Sequence, residues 1–352
     1  MGMKQILLMI AVVVLVGQSV LAADKKPLIA DPIVEKAIRK ELKKRTGKLT
    51  KADLGKVVEL DLIYAKVSDE GLKEVTKLKN LEKLDLNYTQ ITDAGLKEVA
   101  KLHKLEKLDL RDTKVTDSGL KEVAKLQKLN SLDLQLTRIT DAGLKEVVKI
   151  QGLNFLSLNS TQVTDEGLKE VAKLNKLKYL DLDDTAITDE GLREVTKLEK
   201  LEGLYLNSTQ ITDAGLRKVA KLQELKRLYL NSTQITDVGL KEVAKLQELE
   251  RLYLNSTRIT DAGLKEVAKL QNLVFLVMNG TRITDEGLKE VAKLETLRVL
   301  YLNSTRISDA GLQDLGELKN LFTLTLYDTF ATKAGMTELG NTLPNCSIIP
   351  GY

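Results

Sequence analysis

Between Leu81 and Lys104 the spacing of apolar residues changes once. Leu84 and Leu86 alternate with polar neighbours, and this two-residue period predicts a short strand over 83–87 with both leucines turned inward. From Asp93 onward Leu96, Val99, Ala100 and Leu102 fall about 3.6 residues apart, which predicts a helix with a single apolar stripe. Asp93 is the expected N-cap, because its carboxylate can accept from the free amides of the first turn and meets the positive end of the helix dipole. Gly95 lies inside that turn, where alanine would be favoured by about 1 kcal/mol. A glycine kept there predicts close backbone packing.

The same pattern recurs with almost no drift. Its glycine returns every 24 residues, at Gly71, Gly95, Gly119 and onward to Gly311, with a degenerate last copy at Gly335, so twelve units run on without an insertion. A fixed period in this range predicts a solenoid in which each unit packs only on its neighbours. One unit alone buries too few side chains to offset the entropy of ordering its backbone. Stacking covers both of its faces. The strands are then expected to form a parallel sheet on one side, with the wider helices opposite, so that the stack bends with the sheet on the inside.

Leu81, Leu84, Leu86, Thr89 and Ile91 match the pattern L-x-x-L-x-L-x-x-N/C-x-L, and in this the chain resembles the leucine-rich repeat family over about residues 57–340. Threonine replaces the usual Asn or Cys in the units from Thr89 to Thr329, and a stacked hydroxyl ladder is expected to satisfy backbone groups in the turn instead. The I-T-D-x-G-L segment is similar to the helical repeats of the ribonuclease-inhibitor and F-box class, and the whole resembles secreted bacterial repeat proteins. The resemblance implies an α/β fold: a right-handed, horseshoe-shaped solenoid with a parallel sheet on the concave face and helices on the convex face.

Composition narrows the function classes. Fifty-four basic and fifty acidic residues leave a net charge of +4, without the excess expected of a nucleic-acid protein. Lys-Glu-x-x-Lys runs such as Lys97, Glu98 and Lys101 read as solvated helix faces. Cys346 is the only cysteine and His103 the only histidine, which excludes an internal disulfide, a CxxC site or a triad. Cys346 reads as a small cap residue and His103 as a solvated one. No enzymatic activity and no cofactor are expected.

At the N-terminus Lys4 precedes an apolar run from Ile6 to Val16, and small residues follow up to Ala22. This predicts a secretory signal peptide, 1–22, cut after Ala22, and hence a secreted, periplasmic or cell-surface protein. The run is too short to span a bilayer, for which about 20 residues are needed. No membrane span is expected after its removal. Residues 23–56 read as a linker and a helical cap: Asp31 caps a helix with Pro32 at its first position, Gly47 ends it, and Leu49–Leu54 help cover the first coil. Lys333 replaces the usual Asp and is expected to weaken the last N-cap. Residues 341–352 read as a closing cap.

Residues alternating with the buried leucines face the concave side. The central column runs Asp61, Asp85, Asp109, Asp133, Ser157, Asp181, then Tyr205, Tyr229, Tyr253, Val277, Tyr301 and Thr325, changing from acidic to aromatic at mid-chain. Asn207, Asn231 and Asn255 flank it on one side, and Arg227, Arg251 and Phe275 on the other. Tyr and Arg dominate binding hot spots because they join a large contact area to a polar tip. These ten residues, Tyr205, Tyr229, Tyr253, Tyr301, Asn207, Asn231, Asn255, Arg227, Arg251 and Phe275, are the expected docking surface for a protein, peptide or glycan. Tyrosines stacked only to stiffen the sheet, and copied as units duplicated, are the competing account. The acidic ladder is expected to be offset by Lys83, Lys107 and Arg111. Asp181, Asp183 and Asp184 form its densest group, but a flat row does not supply the roughly six to eight converging oxygens of a calcium site. A structural or adhesive role in the cell envelope is the alternative to recognition.

Overall fold

The computed structural model describes residues 27–350, so the expected signal peptide and the start of the linker lie outside the described residues. Among these, thirteen strands, from β1 (Glu59–Asp61) to β13 (Ser347–Pro350), form one parallel sheet in chain order. Register follows the repeat: Leu60 pairs with Leu84, Leu84 with Leu108, and Leu228 with Leu252. Seven-residue helices such as Asp93–Val99 and Asp237–Val243 alternate with the strands and pack on one another. Neighbouring helices need about 8–10 Å and strands about 4.8 Å, so the right-handed stack closes on its strand side and the sheet lines the concave face. Leu84, Leu86, Ile91, Leu96 and Val99 are buried in each coil, and their counterparts merge into one core along the molecule.

The strand is shorter than expected, Lys83–Asp85, because the chain turns at Tyr88, whose φ of 56° lies in the left-handed region. The coil-to-coil bonds nevertheless continue, with the Leu86 and Tyr88 amides donating to the Asp109 and Arg111 carbonyls.

Asp93 is not the N-cap. Thr92 takes that place in extended conformation, and its hydroxyl accepts from the Ala94 amide at 3.2 Å. Asp93 opens the helix and sends its carboxylate to the following coil instead. There Oδ1 accepts from the Thr116 amide at 2.8 Å and Oδ2 from the Thr116 hydroxyl at 2.6 Å. This clamp repeats from Asp69–Thr92 to Asp309–Thr332, with Ser308 replacing threonine once. It also explains the glycines. A Cβ on Gly263 would lie 2.5 Å from Asp237 Oδ1 and 2.7 Å from Leu240 Cδ1. The close neighbour is thus a clamped carboxylate with a core leucine, rather than the backbone that the sequence suggests.

The turn threonines act within their own coil instead of as a ladder between coils: the Thr89 hydroxyl donates to the Leu86 carbonyl at 2.7 Å, and Thr257 to Leu254 likewise. Buried, it satisfies a carbonyl that no strand partner reaches.

Both ends follow from the clamp. Asp31 caps α1 (Pro32–Glu41), accepting from the Ile33 and Val34 amides at 2.8 and 2.9 Å. A Cβ on Gly71 would meet this same carboxylate, Oδ2, at 2.7 Å, so α1 takes the place of a preceding coil. Its last residue is Glu41; Leu42 is the C-cap and Lys43 has φ 50°, ahead of the Gly47 expected to stop the helix. At the far end the hydroxyl of Thr332 caps the helix Lys333–Thr342, so Lys333 weakens nothing. The position needs an aspartate only where another coil follows. The closing segment adds a strand, β13, whose Ile348 pairs with Leu324.

Candidate binding surface

Tyr205, Tyr229 and Tyr253 occupy one register position on consecutive strands. Their rings stack with centroids 4.3 and 4.1 Å apart and planes within 17° and 11°. Burial, then the neighbouring Tyr253, raise the Tyr229 hydroxyl above its ordinary pKa. The stack stops at Val277, which pairs with both Tyr253 and Tyr301, so Tyr301 stands apart from the other three.

On the flank, the Arg251 guanidinium lies 4.5 Å over the ring of Phe275, its strand neighbour. Arg227 reaches further, to 5.5 Å over the ring of Tyr179, across the intervening Gly203. Only a glycine permits this: a Cβ on Gly203 would come within 2.6 Å of the Tyr179 ring. Gly203 is the residue that sequence reasoning missed. Its signal was a lone glycine in a column otherwise filled by larger side chains.

The asparagines work partly for the fold. Asn207 Oδ1 accepts from the Asn231 amide and Asn231 Oδ1 from the Asn255 amide, both at 2.8 Å, and the series runs on to Asn303 and the Tyr327 amide. It begins at Asp183, whose carboxylate accepts both the amide and the Nδ2 of Asn207 at 2.7 Å. Burial and the nearby Asp181 push Asp183 up to about 7.

The acidic half lines a hollow of about 450 Å³ bounded by Asp61, Asp85, Asp109, Asp133, Lys107 and Phe155. Arg111 pairs with Asp133 at 2.9 Å as expected, but Lys83 turns to Glu59 at 3.1 Å instead of offsetting the column. Asp109 is pushed up to about 6 by burial and by Asp133, and burial also raises Asp85 and Asp181. Among the described residues no three His, Cys, Asp or Glu side chains converge as metal ligands, and no helix is long and apolar enough to cross a membrane.

A one-coil-per-repeat solenoid with strand leucines inside and a columned polar face outside defines a leucine-rich repeat scaffold. The profile described as "Leucine-rich repeat region" matches residues 204–347, that for two copies of the repeat matches 79–122, and a single-repeat profile matches 125–148, 153–172 and 173–195. The chain belongs to the leucine-rich repeat family. No curated protein matches it in sequence. Among solved structures, an internalin from Listeria monocytogenes is 26% identical with a TM-score of 0.66, covering 94% of this chain and 99% of that one. A leucine-rich repeat protein of Leptospira interrogans, 24% identical with a TM-score of 0.52 over 78% of this chain and 80% of that one, shares the fold. So does a TDR receptor, 12% identical with a TM-score of 0.52 over 86% and 65%. Leucine-rich repeat proteins serve as protein-binding modules on a scaffold that is typically non-catalytic.

Proposed function

We propose that the protein is an exported, non-catalytic recognition module that docks a protein, peptide or glycan on its concave sheet. The surface is centred on Tyr205, Tyr229, Tyr253 and Tyr301, with Arg227, Arg251, Phe275 and the asparagines Asn207, Asn231 and Asn255 at its edges. The observation that carries this reading is the stacked tyrosine row on the open face, flanked by arginines already held over aromatic rings. Side chains ordered before binding lose little entropy on contact. Export rests on the N-terminal pattern of Lys4 and the run from Ile6 to Val16.

Pull-down from envelope extract tests it, using the chain and its Tyr205→Ala/Tyr229→Ala/Tyr253→Ala variant. A discrete, saturable partner lost in the variant supports recognition; unchanged capture refutes the tyrosine surface. A structural or adhesive role in the envelope is the second reading. It is favoured by the same stack in another respect, since the rings cover one another's faces and bind coil to coil. Association with bulk wall material, rather than with a discrete partner, is its signature.

A further inference from the structure

The third residue after each three-residue strand lies in the left-handed region, and most coils place a small or polar residue there: Ser208, Ser232, Ser256 and Ser304 have φ near 54°, and Gly280 has 66°. The first two coils instead carry Tyr64 and Tyr88, both at φ 56°, and the fourth carries Leu136 at the same angle. A bulky side chain at positive φ is disfavoured, and such departures cluster at functional positions. The two tyrosine rings stack at 4.6 Å with planes 11° apart, and Tyr64 is 71% exposed.

Tyr64 also lines a groove of about 930 Å³ between α1 and the first turn, together with Ile33, Ala37, Asp61 and Ile63. Ile63 is 39% exposed, an open isoleucine next to an open tyrosine. Three lysines border the groove. Lys40 is tied to Asp61 at 2.8 Å, whereas among the described residues Lys36 and Lys66 form no ion pair with a carboxylate. Both are exposed, so their aliphatic stems can cover apolar surface while their ammonium groups stay in water.

We propose that this groove binds an acidic, leucine-bearing segment of a partner protein, its apolar side chains seated on Ile33, Ile63 and Tyr64 and its carboxylates facing Lys36 and Lys66. The chain's own N-terminal stretch does not suit it. Residues 1–26 carry Lys4, Lys25 and Lys26 against the single Asp24. The chain also reaches α1 from the helical side, where the Ala30 amide donates to Glu74 and Lys77 Nζ to the Leu28 carbonyl. This site is separate from the concave tyrosines and stands or falls without them.

The test is fluorescence anisotropy of a labelled Leu-Glu-Glu-Leu-Leu-Glu peptide titrated with the full chain. Saturable binding is expected, weakened by salt and lost when lysine replaces glutamate in the peptide. Tyr64→Ser and the Lys36→Glu/Lys66→Glu pair should each weaken it at least about tenfold, as loss of a central anchor or a reversal of charge does. The serine variant restores the residue type of Ser208 and Ser232, and circular dichroism checks that it folds. Tyr205→Ala/Tyr229→Ala/Tyr253→Ala should leave this binding intact. Absence of saturable binding, equal binding of the lysine peptide, or indifference to both groove variants would overturn the proposal. So would a concentration-dependent dimer dissolved by Tyr64→Ser, which would assign the groove to a second copy, or displacement of the probe by a peptide of residues 1–26.

Discussion

Replacing Gly263 by alanine sets two effects against each other. Alanine in a helix is favoured over glycine by about 1 kcal/mol. Its Cβ, however, would stand 2.5 Å from Asp237 Oδ1, an atom held at 2.8 Å by the Thr260 amide while Oδ2 is held at 2.6 Å by the Thr260 hydroxyl. The carboxylate must leave, and each hydrogen bond to a charged group contributes about 1.5–3 kcal/mol, less here because the pair is only partly buried. A net loss of about 2–4 kcal/mol is expected. Asp237→Ala removes the same clamp without the clash and should cost about 2–3 kcal/mol. In the double variant the alanine meets no carboxylate and the clamp is lost once rather than twice, leaving a coupling of about 2–3 kcal/mol. The approach to Leu240 Cδ1 at 2.7 Å is common to the single and double variants that carry Gly263→Ala and cancels in the cycle. Urea unfolding followed by circular dichroism and tyrosine fluorescence measures all four proteins. Additivity within about 0.5 kcal/mol would refute the claim that the glycine exists to admit the preceding coil's aspartate.

Asp183→Asn bears on pH dependence. The folded carboxyl is raised to about 7 from an ordinary 3.8, so between these values the folded chain binds more protons than the unfolded one, and stability falls as pH rises through that window. The asparagine variant should lose this slope, so that its stability relative to wild type rises by about 1–2 kcal/mol from pH 4 to pH 8, the full shift being discounted for partial exposure to water, on top of a pH-independent cost for the acceptor that Asn207 Nδ2 loses. Melting temperatures that track wild type at both pH values would show the carboxylate to be at ease where it stands. Leu252→Ala, which empties a fully buried strand position, should cost about 2–5 kcal/mol, whereas Lys241→Ala on the exposed helix face should fall within about 0.5; equal effects in urea titrations would contradict the assigned inside and outside of the coil.

How the coil is built was largely legible. The change of apolar period from two to 3.6 marked strand and helix, and the unbroken 24-residue spacing implied neighbour-on-neighbour stacking, which the sheet register reproduces from Leu60–Leu84 onward. These are local properties, decided by which side chains must leave water. The clamp was not legible in the same way. Asp93 looks like an N-cap because it precedes an apolar stripe, and only the neighbouring coil shows that its carboxylate has a better acceptor role at Thr116.

The candidate surface divides along the same line. Which residues face outward on the sheet follows from alternation alone, so the tyrosine, aspartate and asparagine columns are readable in the sequence. Distances between coils were not. That three tyrosines stack while Tyr301 stands beyond Val277, that Gly203 clears a path for Arg227 to Tyr179, and that the asparagine oxygens are engaged by the next coil's amides depend on strand-to-strand geometry. The groove beside Tyr64 exists only where α1 closes the first turn. Periodicity along one chain reports which side of an element is dry; what a side chain meets across a 24-residue interval is set by how coils pack, and that is information the tertiary structure alone contains.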